Sequence, residues 1–127
     1  MIRGVDTILL SSQDAAKLAK FYKEKVGLKP SGEYEMGEKG EGAYIYEWKG
    51  KSALCIMDHS KVKGKSKNPE RYLINFEVDD IKKEVVKLKR NKVRVVQDTY
   101  HMEGYGWVAT FEDSDGNYFQ LVQVKAS

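Results

Sequence analysis

Two stretches decide the reading of this chain: TILLSSQDAAKLAKFYKEKVGLKP at residues 7–30 and LINFEVDDIKKEVVKLKRNKVRVV at residues 73–96. One constant shift carries Thr7 onto Leu73, Leu10 onto Phe76 and Asp14 onto Asp80, and it carries Ala15, Ala19 and Tyr22 onto Ile81, Val85 and Leu88. The last set recurs at i, i+4 and i+7, one face of a 3.6-residue helix. Asp14 and Asp80 stand where an N-cap belongs, accepting hydrogen bonds from the first free N–H groups of a helix. Gly27 and Asn91 are expected to end the two helices.

Working outward, each helix is followed by strand-like runs broken by glycine. GEYEM, GAYIYEW and SALCIMD follow the first helix, and KVRVVQD, YGWVATFED and NYFQLVQV follow the second. Alternating aromatic and β-branched runs bounded by Gly and Asp clusters are strand and turn signals. Each half therefore reads β-α-β-β-β. A sheet covered by a helix on one face leaves the other face bare, so a tandem pair implies a shared concave surface. The expected fold is α+β: two tandem β-α-β-β-β modules forming a curved mixed sheet around a concave cavity. Module 1 is expected over about residues 1–60, a lysine-rich linker over about 59–69 and module 2 over about 70–127, all within one domain spanning 1–127.

Composition excludes several classes of function. The chain has 127 residues, 41% hydrophobic and 32% charged, as in ordinary globular chains. No stretch approaches the ~20 apolar residues of a membrane span, and the N-terminus lacks a signal-peptide pattern, so no membrane partner and a cytoplasmic location are expected. One cysteine, Cys55, rules out an internal disulfide framework and any Cys-based zinc cluster. Of 22 basic residues only Arg3, Arg71, Arg90 and Arg94 are arginine, the net charge is +3, and the signs alternate along the chain. Nucleic-acid surfaces favour arginine and cluster one sign of charge, so no nucleic-acid partner is expected. The basic run KVKGKSK reads as a solvated linker.

GVDTILLSSQD with FYKEKVGLKP, then FEVDDI, then YGWVATFEDSDGN before the last strand resemble, in this order and spacing, the vicinal oxygen chelate superfamily. That group holds glyoxalase I, extradiol dioxygenases, and fosfomycin- and bleomycin-resistance proteins, and the resemblance covers residues 4–123. It implies metal-binding members with histidine on the first strand of each module and glutamate on the last strand. Those positions carry Thr7, Leu73 and Gln120 here. A hydroxyl, an isobutyl group and an amide do not replace two imidazoles and a carboxylate as a metal site. His59, just past the fourth strand, and His101, in a glycine-flanked loop, lack the spacing of a ligand pair. DSDGN at residues 113–117 reads as a tight turn, because Val124 stands where a calcium loop needs glutamate. Cys55 reads as a buried inert thiol. No metal site, no cofactor and no catalytic set is expected.

The resemblance also implies that positions 7, 73 and 120 face the cavity. Alternation then adds Leu9, Asn75, Glu77 and Val122, and leaves Ile8, Leu10, Ile74, Phe76 and Leu121 toward the helices. Asn75 and Gln120 both donate and accept, which suits a neutral polar ligand; Glu77 either pairs with a cation or sits at a wet strand end. Tyr44, Tyr46 and Trp48 alternate along one strand, and Trp107, Ala109 and Phe111 along another. Tyr46, Trp48 and Trp107 are the candidates for stacking on a planar ligand, and Phe111 is assigned to the core. EYEMGEKGE at residues 33–41, with Glu47, Glu103 and Glu112, is a candidate acidic rim for a cationic ligand.

The leading expectation is a metal-free protein that sequesters a drug or metabolite, cationic or aromatic, in the sheet cavity, acting as a homodimer of the bleomycin-resistance type. The alternatives are a metal-dependent glyoxalase- or dioxygenase-like lyase or isomerase with atypical ligands, and a protein-interaction module.

Overall fold

A computed structural model describes residues 1–36 and 40–124. The elements run β1 (Thr7–Ser12), α1 (Ala15–Phe21), β2 (Gly32–Met36), β3 (Glu41–Tyr46), β4 (Ala53–Asp58), β5 (Ile74–Glu77), α2 (Ile81–Arg90), β6 (Arg94–Met102), β7 (Gly106–Glu112) and β8 (Tyr118–Val124). Each half is β-α-β-β-β. The chain divides into two compact units, residues 1–64 and 65–127, so the division falls inside the lysine-rich stretch.

Each unit holds one four-stranded mixed sheet, in the order β1-β4-β3-β2 and β5-β8-β7-β6. The first strand of each unit pairs in parallel with the last, and the other pairs are antiparallel. The two helices start alike. Asp14 accepts from Lys17 N at 3.1 Å, and Asp80 from Lys83 N at 3.2 Å. A second acceptor comes from the last strand of the same unit. Asp58 Oδ1 takes Ala15 N–H at 2.8 Å, and Gln123 Oε1 takes Ile81 N–H at 2.9 Å. Two otherwise orphaned donors of each first turn are thus satisfied.

The helix ends differ. The second stops at Asn91, followed by Lys92 in the left-handed region at φ 61°. The first leaves α geometry at Phe21 and continues as a wider π turn, Tyr22–Val26, before Gly27 caps it at φ 86°. The unit 1 core comprises Leu18, Tyr22, Tyr46, Leu54 and Ile56; that of unit 2 comprises Leu88, Phe111, Phe119 and Leu121. Phe111 stacks on Phe119 with centroids 5.8 Å apart.

Two strand limits differ from the sequence reading. The third strand stops at Tyr46, because the chain turns at Trp48, whose carbonyl accepts from Lys51 N at 3.1 Å. The sixth runs on to Met102, so His101 lies on a strand paired with Trp107 and not in a loop. Among the described residues no helix is long and apolar enough to cross a membrane.

Candidate functional site

Strand pairing fixes which side chains share a face, because register partners point the same way and neighbours along a strand alternate. Gln123 reaches the start of α2, so its face of the second sheet bears the helix. Phe119 and Leu121 on β8 share that face, with Trp107, Ala109 and Phe111 on β7. The opposite, helix-free face carries Asn75 and Glu77 on β5, Tyr118, Gln120 and Val122 on β8, and Val108, Thr110 and Glu112 on β7. Tyr100, opposite Val108, adds an aromatic ring from β6.

Across this face Asn75, Gln120 and Thr110 stand side by side on three strands. They form one hydrogen-bonded chain. Thr110 Oγ1 donates to Gln120 Oε1 at 2.7 Å, Gln120 Nε2 donates to Asn75 Oδ1 at 2.8 Å, and Asn75 Nδ2 donates to Tyr105 OH at 3.3 Å. Thr110 is buried, Gln120 half-buried and Asn75 exposed, so the chain rises from the sheet interior to solvent. Tyr105 arrives from the β6–β7 turn, where Gly106 has φ +146° and a Cβ would lie 2.2 Å from Gln123 O. Only glycine lets the turn enter β7 there. Charge is sparse. Glu77 lies one alternation along β5 from Asn75, and Glu112 is paired with Arg94 at 2.6 Å.

The first unit has the matching row in apolar form: Leu9, Cys55 and Ile45 stand opposite one another on β1, β4 and β3. Cys55 is buried, and burial pushes its thiol up in pKa. Thr7 shares that helix-free face and donates to Asp6 Oδ2 at 2.8 Å.

Of the residues expected to bind a ligand, Asn75, Glu77 and Gln120 therefore gather on one face. Leu73, exposed, precedes β5; Thr7 and Leu9 lie on the first sheet. Three aromatic assignments are corrected. Tyr46 pairs with Leu54 on the helix-bearing face and is 1% exposed, so it belongs to the core. Its hydroxyl has no hydrogen-bond partner, and burial first, then the nearby Tyr44, Cys55 and Glu33, pushes its pKa up to about 12. Trp48 lies beyond the strand, in the turn. Trp107 lies on the helix-bearing face, opposite Gln123, with its ring 4.8 Å from that of His101. The aromatics on the amide face are tyrosines instead. Tyr118 follows from Gln120 by alternation, whereas Tyr105, being in a turn, has no periodicity to reveal it.

The acidic segment does not converge. Glu33 and Glu35 lie on the helix-bearing face of the first sheet and Glu41 on the other, while Glu38 and Lys39 fall outside the described residues. A recess of 360 Å³ opens on that helix-bearing side, lined by Lys20, Lys23, Glu33 and Tyr44 among others; it includes Glu33 of the expected acidic rim but none of the residues expected to stack on a ligand or to face the cavity.

A family model for the Glyoxalase/Bleomycin resistance protein/Dioxygenase superfamily matches residues 4–121. The chain belongs to this superfamily. Solved structures with the same fold include TnmS3, an antibiotic-binding protein from Streptomyces sp. CB03234. It is 24% identical, with a TM-score of 0.74 and 98% of each chain covered. The trypanothione-dependent glyoxalase I of Leishmania major is 20% identical at a TM-score of 0.73, covering 96% of this chain and 87% of that one. The fosfomycin resistance protein FosX of Listeria monocytogenes is 18% identical at a TM-score of 0.69, covering 98% and 94%. A search of the curated proteins finds no match.

The metal-binding arrangement of the superfamily does not fit the side chains here. Gln120 is an amide with both ends already hydrogen-bonded, and Thr7 and Leu73 supply no imidazole. Among the described residues no three His, Cys, Asp or Glu side chains converge. At the Thr110–Gln120–Asn75 row a divalent ion would meet neutral hydroxyl and amide oxygens, a poor set for zinc, nickel or iron.

Proposed function

We propose that this chain binds a small molecule noncovalently, without a metal ion, on the helix-free face of β5-β8-β7-β6. The observation that carries the reading is the chain Thr110–Gln120–Asn75–Tyr105, a row of neutral amides and hydroxyls at a position where the family resemblance implies a metal-ligating glutamate. Tyr100, Tyr105 and Tyr118 supply aromatic surface beside it, each worth ~1 kcal/mol against a planar ligand. The antibiotic-binding and fosfomycin-resistance proteins of the same fold support a small-molecule ligand. Sequestration requires no further chemistry: the bound ligand is kept from its target. We take the chain to act in the cytoplasm as a homodimer, consistent with a single buried thiol and with the exposed Ile8 and Leu9 on the edge strand β1. Light scattering at micromolar concentration tests the dimer.

Metal analysis and thermal shift test the function. Protein purified without chelator is expected to hold no stoichiometric divalent ion, and zinc, nickel, manganese or iron should leave its melting temperature unchanged. A screen of cationic drugs, thiol conjugates and aromatic metabolites is expected to yield a stabilising ligand; at 100 times its Kd a ligand adds about 2.7 kcal/mol. A stoichiometric ion whose removal abolishes a turnover activity overturns the reading.

A further inference from the structure

The hydrogen bonds within the amide chain decide which kind of ligand it leaves room for, and this inference rests on the binding role just proposed. Each oxygen of Thr110, Gln120, Asn75 and Tyr105 already takes part in one hydrogen bond. Three polar hydrogens take part in none: the second amide hydrogen of Gln120, the second of Asn75, and the phenolic hydrogen of Tyr105. Exchanging O and N in both amides reverses the chain without moving a heavy atom, so that Tyr105 donates to Asn75, Asn75 to Gln120 and Gln120 to Thr110. The two amide hydrogens still remain, and the hydroxyl left over is then that of Thr110. The count is independent of amide orientation.

The spare N–H groups, exposed at Asn75 and half-buried at Gln120, are the donors that a ligand acceptor can take over from water. We infer that the ligand is a neutral, flat molecule presenting a carbonyl-type oxygen, received by the spare N–H groups of Asn75 and Gln120 between the tyrosines. Charge on the face argues in the same direction. Glu77 on the same strand disfavours an anion. A cation would find on the amide oxygens only the second lone pair of groups that each already accept a hydrogen bond.

Three matched probes test the polarity: 1-indanone, which presents a carbonyl; indane, which presents nothing; and 1-aminoindane, which is a cation. Binding is read from the side-chain NH2 cross-peaks of Asn75 and Gln120 in 15N NMR spectra, assigned with Asn75→Asp and Gln120→Glu. 1-Indanone is expected to shift both cross-peaks and to bind about fivefold or more tighter than either companion, the value of one well-made hydrogen bond. Gln120→Glu removes the donor and supplies a carboxylate, so that variant should prefer 1-aminoindane. If Gln120→Glu does not fold, Asn75→Asp, at the exposed end of the chain, carries the same expected reversal.

Equal or tighter binding of 1-aminoindane by the unaltered protein, at the same cross-peaks, overturns the polarity while leaving a metal-free binding face intact. No shift with any probe at millimolar concentration overturns the inference. Stoichiometric Mn2+ bleaching those cross-peaks overturns the metal-free reading itself.

Discussion

Replacing Tyr46 by phenylalanine should make this protein more stable, against the usual direction of core substitutions. Tyr46 is 1% exposed and its hydroxyl has no hydrogen-bond partner. A buried, unsatisfied hydroxyl costs about 1–3 kcal/mol. Removing the oxygen leaves a void of roughly 15 Å³, worth about 0.4 kcal/mol at about 24 cal/mol per Å³. The net gain is about 1 kcal/mol. With unfolding entropy of about 2.1 cal/mol/K per residue, a single transition of this chain should rise by about 4 °C.

The gain should grow in alkali. Tyr46 holds its proton in the folded state to about pH 12, whereas an unfolded tyrosine loses it near 10. Between those values the unfolded chain binds fewer protons, so wild-type stability falls as pH rises, by up to about 2–3 kcal/mol in total. Phenylalanine has no proton to lose. Tyr44 and Cys55, also pushed up by burial, titrate alike in both proteins, so the difference isolates Tyr46. Urea melts of the two proteins from pH 7 to 11 measure it. A Tyr46→Phe variant less stable than wild type, or a gap that stays flat above pH 10, would refute the account.

Further outcomes follow from the site and its scaffold. Thr110→Val keeps the shape but leaves Gln120 Oε1 without its donor, and should cost about 1 kcal/mol in a urea melt. Tyr105→Phe, at the solvent end of the chain, should leave stability within about 0.5 kcal/mol while weakening a stabilising ligand several-fold by calorimetry. Gly106→Ala places a methyl against the Gln123 carbonyl at a positive φ, and should cost more than about 3 kcal/mol or abolish soluble expression. Asp58→Ala strips the acceptor from both Ala15 N–H and Gly42 N–H, and should cost about 2–3 kcal/mol by thermal denaturation.

Much of the architecture was legible because the pattern is written twice. The caps Asp14 and Asp80, and helix faces of the same spacing, are local signals that need no tertiary information, and both caps form. The amide face was partly legible: the resemblance turns positions 73 and 120 to one face, alternation from Leu73 adds Asn75 and Glu77, and the register sets Asn75 opposite Gln120. The aromatic assignments failed for a different reason. Whether Trp107 or Val108 shares a face with Gln120 depends on the register of β7 against β8, and alternation within one strand is silent on that. The register places Thr110 opposite Gln120, and every odd position of β7 turns to the helix. Tyr46 obeys the same logic through Leu54. Tyr105 comes from a turn, where no periodicity exists to read.

The clamps at the two helix starts also set an order of events during synthesis. Ala15 is tied to a residue 43 positions later and Ile81 to one 42 positions later. Neither helix has its first N–H satisfied until the final strand of its own half has been translated. The first half can close this latch while the second is still being made. The second must wait for residue 123, so a ribosome stalled between the two events would display a first half already latched and a second half not yet so.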